Sequence, residues 1–265
     1  MSARRPVARV LTREREVDGY QLPIDISRRE FLAYASIFSW IPFFRPKHVS
    51  LVGARFRITR YGHSNRRYLV IHGNEETARE VLIAHMRAHQ GIAYIVENHT
   101  RTVPVESGQI DPNRMFSRVG AEANLKRLNP DWPPERLEAA LAVLDHGREK
   151  LVKVLLPPSG GLTIALHNNS EAYSVRDEEP ISDAASIREP DNPHAFFLCT
   201  DDEDFRKLTT SPYNVVFQKK APPVDDGSLS RLAAGRGVRY VNLEVATGQG
   251  SRQQEMLDWL EWNLE

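Results

Sequence analysis

Two histidines and a glutamate stand where short apolar runs of this sequence end. His72 and Glu75 close the segment RYLVIHGNE at residues 67–75, and His167 follows the apolar run at residues 162–166. Imidazole nitrogens and carboxylate oxygens are ligands that zinc accepts at about 2.0–2.2 Å. A site with three such ligands keeps a fourth position for water, whose pKa zinc lowers. These residues therefore predict one zinc ion per chain, held by His72, Glu75 and His167.

The elements around these residues are suited to bring them together. Residues 67–71 are mostly apolar and predict a buried strand, Gly73-Asn74 predicts a tight turn, and residues 75–89 predict a helix. Such a turn can aim His72 and Glu75 at one point. In open α/β sheets, ligands bind outside the carboxyl ends of the strands, so His167 is expected to meet them there.

The segment also resembles a known metal motif. His-Gly-Asn-Glu after an apolar strand resembles the motif of the zinc carboxypeptidase superfamily, and most closely that of its succinylglutamate desuccinylase and aspartoacylase branch. Three further elements occur in the family's order: Asp111-Pro-Asn113-Arg114-Met-Phe116, Leu166-His167 and Asn242-Leu-Glu244-Val-Ala-Thr-Gly248. Together the four elements span residues 67–250, which is most of the expected folded chain.

The resemblance implies a role for each matching residue. Asn113 and Arg114 would bind a substrate carboxylate, and positioning by Arg114 makes it part of the catalytic set. Glu244 would be the catalytic glutamate, which takes a proton from water and returns it to the leaving amine. Glu76 and Glu171 are the alternatives for this base.

The chain departs from the family's pattern at two substrate-binding positions. The family's second arginine has two candidates, Arg101 upstream of the Asn-Arg pair and Arg118 downstream of it. The tyrosine found near the site in carboxypeptidases has a single candidate, Tyr213. These motifs therefore do not determine the identity of the substrate.

The resemblance implies a metallohydrolase that cleaves an amide bond next to a substrate carboxylate, as a carboxypeptidase does on peptides. An alternative is a deacylase that acts on an N-acylated amino acid. A third is a non-catalytic relative that binds zinc and peptide. The presence of Glu244 favours an enzyme, because a pure binding module does not need a general base. The oligomeric state stays open.

The composition of the chain bears on two questions: whether it binds nucleic acid, and whether cysteines could hold a metal ion. The chain has 35 Lys and Arg against 35 Asp and Glu, so its net charge gives no sign of nucleic-acid binding. Its single cysteine, Cys199, excludes an intramolecular disulfide and a thiolate-rich zinc site. Because Cys199 stands in an apolar run, we expect a buried structural thiol.

Alternation of strand-like and helix-like segments predicts one α/β domain at residues 55–265, with a mixed, mostly parallel sheet between helices, as in zinc carboxypeptidases. Residues 100–116 and 171–194 are expected to be long loops. The predicted strands are residues 55–60, 67–71, 92–96, 162–166, 195–199, 214–217 and 238–245, and the predicted helices are residues 75–89, 135–155, 202–208, 229–234 and 253–264.

Residues 1–54 predict a leader. The run SRREFL at residues 27–32, followed by an apolar stretch to residue 44, resembles a twin-arginine export signal. The stretch is too short to span a membrane comfortably, and residues 52–54 offer small residues for cleavage. We therefore expect export to the periplasm, with residues 27–44 contacting the export machinery or the membrane. In the alternative, this segment packs on the body of a cytoplasmic protein.

Overall fold

A nine-stranded sheet lies between two layers of helices in the computed structural model, which describes residues 47–170, 172–220 and 224–264. The sheet strands are β1 (Lys47–Leu51), β2 (Ala54–Tyr61), β3 (Arg67–Val70), β4 (Gly91–Val96), β7 (Thr163–Asn169), β8 (Ala184–Ser186), β9 (Phe196–Cys199), β10 (Asn214–Phe217) and β11 (Tyr240–Ala246), and β5 (Val103–Val105) and β6 (Gly108–Ile110) form a separate hairpin. The helices are α1 (Glu76–His85), α2 (Arg118–Leu128), α3 (Pro134–Leu155), α4 (Val175–Glu178), α5 (Asp202–Leu208), α6 (Leu229–Gly235) and α7 (Gly250–Asn263).

The strand order is β1-β2-β4-β3-β7-β11-β9-β10-β8. All strands except β2, β9 and β10 run in one direction, so the predicted mixed, mostly parallel sheet is confirmed. The neighbours β4, β3, β7 and β11 are parallel. Their carboxyl ends therefore meet at one edge of the sheet, where ligands bind in such folds.

Successive side chains of the central strands point to opposite faces of the sheet, so each face has its own hydrophobic core. Leu69 and Ala165 pack with α2, α3 and α6 on one face. Val70 and Ile164 pack with α1, α5 and α7 on the other face. Burial on both sides explains why these strands read as continuous apolar runs. Cys199 is buried on the second face, as expected for a structural thiol.

The folded domain begins earlier than the sequence predicts. β1 pairs with β2 in antiparallel register, so the domain boundary at residue 55 lies too late. Residues 52 and 53 connect these two strands and Ala54 begins β2, so cleavage at residues 52–54 would remove β1 from the sheet. The paired arginines and the apolar stretch to residue 44 lie outside the described residues. Within the described ranges, no helix is long and apolar enough to cross a membrane.

Two predicted loops contain regular structure. Residues 100–116 include the β5–β6 hairpin and a 3₁₀ turn at Pro112–Arg114, and residues 171–194 include α4 and β8. These elements are three or four residues long, which is too short for a hydrophobic period to identify them. The hairpin matters for the site, because it leads directly into the segment that carries Asn113 and Arg114.

The connection between β3 and α1 depends on glycine at position 73. A Cβ on Gly73 would lie 2.3 Å from the backbone oxygen of Asn98. Because the backbone must move to relieve this overlap, we expect Gly73→Ala to lower the free energy of unfolding by about 1–3 kcal/mol. Gly235→Ala is the matched control, since no described heavy atom outside its chain neighbours and its own helix backbone lies within 4 Å of its Cβ position. Urea denaturation compares the two variants, and equal stabilities would contradict the tight approach at Gly73.

Candidate metal centre and substrate pocket

The three predicted ligands converge at the carboxyl ends of β3 and β7. Oε1 of Glu75 lies 2.8 Å from Nδ1 of His72 and 3.4 Å from Nδ1 of His167. One ligand atom of each residue lies within 4.8 Å of those of the others, and all three residues are buried. His72 and Glu75 flank the turn before α1, whereas His167 lies within β7, two residues before its end. These three residues, hereafter the metal trio, form a group that can hold a metal ion.

The hydrogen bonds of the metal trio fit a bound cation. Oε2 of Glu75 is buried with no hydrogen-bond partner among the described residues, although it lies 3.2 Å from Nδ1 of His167. Buried carboxylate oxygens are normally paired, so a cation is the missing partner that the donor set supports. Nε2 of His72 lies 2.9 Å from Oδ1 of Asp111. Metal-binding histidines commonly donate their second ring N–H to such a carboxylate, which orients the ring.

Basic neighbours keep the carboxylate of Glu75 ionised, as a metal ligand must be. Burial raises the pKa of Glu75, but the positive charges of His167 and His72 outweigh it and lower this pKa to about 2. Burial lowers the pKa of His72, but the carboxylates of Glu75 and Asp111 outweigh it and raise that pKa. Arg101 donates to Oε1 of Glu75 at 3.0 Å and to Oδ2 of Asp111 at 3.3 Å. Arg101 thus reaches the site, where it pairs with carboxylates of the protein itself.

Glu244 lies beside His167, because β11 and β7 run in parallel with these two residues in register. Its Oε1 accepts a hydrogen bond from Asn242 at 3.0 Å, and its Oε2 accepts one from Asn169 at 3.3 Å. Burial raises the pKa of Glu244, and the negative charge of Glu75 contributes to the increase. A buried carboxylate next to the metal trio, with its pKa raised above the usual range of a glutamate, is suited to proton transfer.

A cavity of about 430 Å³ opens beside the metal trio, and Asn113 and Arg114 line its wall. Arg114 donates to the backbone oxygen of Asn113 at 2.8 Å and pairs with Asp226 at 3.4 Å. The side-chain oxygen of Asn113 accepts the backbone N–H of Leu229 at 3.0 Å, where α6 begins. The start of α6 therefore holds the Asn-Arg pair against the cavity that the metal trio and Glu244 also line.

Two predicted substrate-binding residues lie away from this cavity. Arg118, at the start of α2, forms ion pairs with Glu138 and Asp145 on α3, so it links two helices at the surface. Tyr213 packs edge-on against Phe197 in the core that contains α1, α5 and α7, on the face opposite the cavity. Neither residue therefore lines this cavity. Sequence order alone does not determine on which side of the fold a side chain lies.

Tyr173 and Arg231 are among the lining residues that were not predicted from the sequence. Tyr173 donates its hydroxyl hydrogen bond to Oε1 of Glu178 at 2.7 Å, and Arg231 donates to the side-chain oxygen of Gln218 at 2.7 Å. Among the described residues, Tyr173 lines the cavity and Tyr213 does not. It lies in a polar stretch whose composition predicts only a surface loop, and neither residue belongs to a motif. Their position in the folded chain is the signal that identifies them.

Comparison with protein-family models gives no match, and comparison with curated proteins gives no similar sequence. Solved structures are similar in part. The succinylglutamate desuccinylase/aspartoacylase from Rhodobacter sphaeroides is 13% identical, with a TM-score of 0.40, over 79% of this chain and 59% of that one. The ectoine utilization protein EutE (DoeB) from Ruegeria pomeroyi is 12% identical, with a TM-score of 0.41, over 80% of this chain and 61% of that one.

A proposed metallopeptidase from Shewanella amazonensis SB2B is 13% identical, with a TM-score of 0.43, over 89% of this chain and 92% of that one. This chain thus spans less than two thirds of the first two proteins and most of the third. Because every TM-score is below 0.5, the site and its chemistry rest on the geometry of this chain alone.

Proposed function

We propose that this chain is a zinc-dependent hydrolase that cleaves an amide bond next to a substrate carboxylate. The observation that carries the proposal is the convergence of the metal trio beside Glu244, in a cavity that Arg114 also lines. The donor set of two imidazoles and one carboxylate is that of catalytic zinc sites. Zinc held there supplies a Lewis acid that polarises an amide carbonyl and lowers the pKa of water.

Glu244 is the general base in this proposal. It accepts a proton from the attacking water and gives it to the nitrogen of the leaving amine. Asn242 and Asn169 each donate to one of its carboxylate oxygens, which fixes the orientation of the group. The raised pKa of Glu244 supports the first step, because burial makes this carboxylate a stronger proton acceptor than an exposed glutamate.

Arg114 binds the substrate carboxylate and so positions the amide beside the metal trio. A guanidinium binds a carboxylate through two parallel hydrogen bonds. Its present partner, Asp226, has a side chain that is 40% exposed, so a substrate carboxylate can take its place at low cost. Asn113, fixed by the start of α6, lies directly beside the guanidinium.

The role of Arg114 predicts selectivity for substrates with a free carboxylate. We expect Arg114→Ala to lower kcat/KM about 10- to 100-fold for an acylated peptide with a free C-terminal carboxylate, as the loss of a charged hydrogen-bonding partner does. The same peptide with a C-terminal amide should be a poor substrate of both proteins. Arg118→Ala is the control, because Arg118 pairs with α3 outside the cavity. Equal losses in the two variants would contradict the assignment.

Two further functions remain as alternatives within the same site. A deacylase would release the acyl group of an N-acylated amino acid, and a non-catalytic relative would bind zinc and peptide without turnover. Incubating the purified protein with pools of peptides and of N-acyl amino acids, with and without a chelator, distinguishes these functions by mass spectrometry. Chelator-sensitive loss of either pool identifies the substrate class. Action on exported or cell-wall peptides is proposed from residues 27–44 alone.

A further inference from the structure

Arginine side chains line the cavity at Arg101, Arg114 and Arg231. Arg101 pairs with Glu75, a carboxylate of the protein itself. Arg114 pairs in the same way with Asp226. Arg231 differs, because its guanidinium forms a hydrogen bond to a neutral side chain and no ion pair with any carboxylate of the described residues. Arg231 is thus a cation of the cavity without a described anionic partner.

A buried glutamine holds the guanidinium of Arg231 in place. Gln218, directly after β10, is 2% exposed, and its Oε1 accepts a hydrogen bond from Nη1 of Arg231 at 2.7 Å. The orientation of this amide is fixed, because its Nε2 donates to Glu178 at 2.5 Å and to Ser182 at 3.1 Å. The oxygen of Gln218 therefore faces Arg231, and it orients the guanidinium without neutralising its charge.

Glu178 does not supply the missing anion. Its Oε1 accepts the hydroxyl hydrogen bond of Tyr173 at 2.7 Å, its Oε2 accepts from Gln218, and neither oxygen forms an ion pair with Arg231. Arg231 is itself half-buried, and a cation removed in part from water is stabilised by an opposite charge. A guanidinium has five N–H donors in a planar fork, and most of those of Arg231 are available to a ligand. Its chemistry therefore suits an anionic group of a bound molecule.

The segment that carries Arg231 also contacts the Asn-Arg pair. Asp226 pairs with Arg114 at 3.4 Å, and the backbone N–H of Leu229 donates to Asn113 at 3.0 Å. Arg231 follows two residues later, in the first turn of α6, and lines the same cavity. An anion bound by Arg231 therefore lies on the side of the cavity that Arg114 lines, where the carboxylate of the substrate would bind. It belongs to the same part of the substrate, which is the amino acid released as the amine.

We propose that Arg231 selects peptides whose C-terminal residue has an acidic side chain. The proposal rests on the proposed function, in which Arg114 binds the terminal carboxylate of that residue. Arg231 then binds the side-chain carboxylate through two parallel hydrogen bonds, and Gln218 positions the guanidinium. A neutral side chain of the same shape leaves the charge of Arg231 unpaired and is therefore disfavoured.

Paired peptides test this selectivity. One N-acylated peptide ends in Glu and its partner in Gln, and a second pair ends in Asp and Asn, so that every peptide keeps its terminal carboxylate. We expect the unmodified protein to prefer the acidic member of at least one pair about 10- to 100-fold in kcat/KM, and Arg231→Gln to lose this preference. Arg236→Gln is the matched control, because Arg236 directly follows α6 and pairs with Glu149. The charge reversal Arg231→Glu should favour a peptide that ends in Lys over one that ends in Glu, which a purely structural role would not produce.

Isothermal titration calorimetry supplies a measurement that does not depend on turnover. The zinc-loaded protein is titrated with the free amino acids glutamate, glutamine, aspartate and asparagine, and circular dichroism verifies that each variant is folded. Glutamate or aspartate should bind about 10- to 100-fold more tightly than its neutral amide, and the difference should vanish in Arg231→Gln. Equal binding of acid and amide, binding of neither, or a preference that persists in Arg231→Gln would each overturn the role of Arg231. Absence of hydrolysis, which would refute the proposed function, leaves the calorimetric result unaffected.

Discussion

Glu244→Gln should reduce the rate of hydrolysis at least about a hundredfold while the protein keeps its zinc. Glutamine has nearly the same size as glutamate and retains one hydrogen-bonding oxygen, yet it cannot accept a proton from water. General acid–base catalysis contributes about 10²–10⁴-fold, or about 3–5 kcal/mol of the barrier. Zinc retention is expected because Glu244 accepts hydrogen bonds from Asn242 and Asn169 and is not a member of the metal trio.

Single-turnover hydrolysis measures the loss of rate in Glu244→Gln, and metal analysis of the same preparation measures the zinc that the variant retains. Glu122→Gln is the control, because Glu122 pairs with Lys126 on the exposed surface of α2. Loss of zinc in Glu244→Gln would make Glu244 a ligand. Undiminished hydrolysis would instead move the base to another carboxylate, with Glu76, the exposed first residue of α1, and Glu171 as the alternatives.

The metal trio was predictable because each ligand is positioned by local structure. His72 and Glu75 are three residues apart across one turn, and the apolar run before His167 identifies a buried strand whose neighbours follow from the α/β pattern. The pairing of β11 with β7 then places Glu244 beside His167 in the same way. The backbone at a strand end or a tight turn fixes the direction of its own side chains. The positions of such residues can therefore be predicted from the local sequence.

The positions of the other residues in and around the cavity depend on contacts between segments that are far apart in the sequence. The spacing of residues in the sequence does not predict such contacts. Asp111 is 39 residues from His72, and only the β5–β6 hairpin brings it to the second ring nitrogen. Tyr173 and Tyr213 both follow polar segments, but the fold places only Tyr173 at the cavity, whereas Tyr213 packs on the opposite face. Arg118 has the charge expected of a substrate-binding residue and uses it to join two helices.

His167→Ala should abolish both stable zinc binding at the metal trio and hydrolysis. The substitution leaves two ligands and removes the imidazole whose Nδ1 lies 3.2 Å from Oε2 of Glu75. Two ligands hold zinc far more weakly than three, and the buried charge of Glu75 also loses a stabilising partner. Metal-free His167→Ala should therefore be less stable than the unmodified protein as well, which urea denaturation measures.

Asp111→Asn should weaken zinc binding less than His167→Ala does, because it leaves all three members of the metal trio in place. Because Asp111 contacts Nε2 of His72 rather than the ion, its replacement should weaken zinc binding about 10- to 100-fold without abolishing it. Competition with a chromophoric chelator measures the three affinities, with His146→Ala on the surface of α3 as the control. The expected order is control, then Asp111→Asn, then His167→Ala. If His167→Ala bound zinc at this site as tightly as the control, the metal trio would not be the zinc site, and the role of Glu244 beside it would lose its basis.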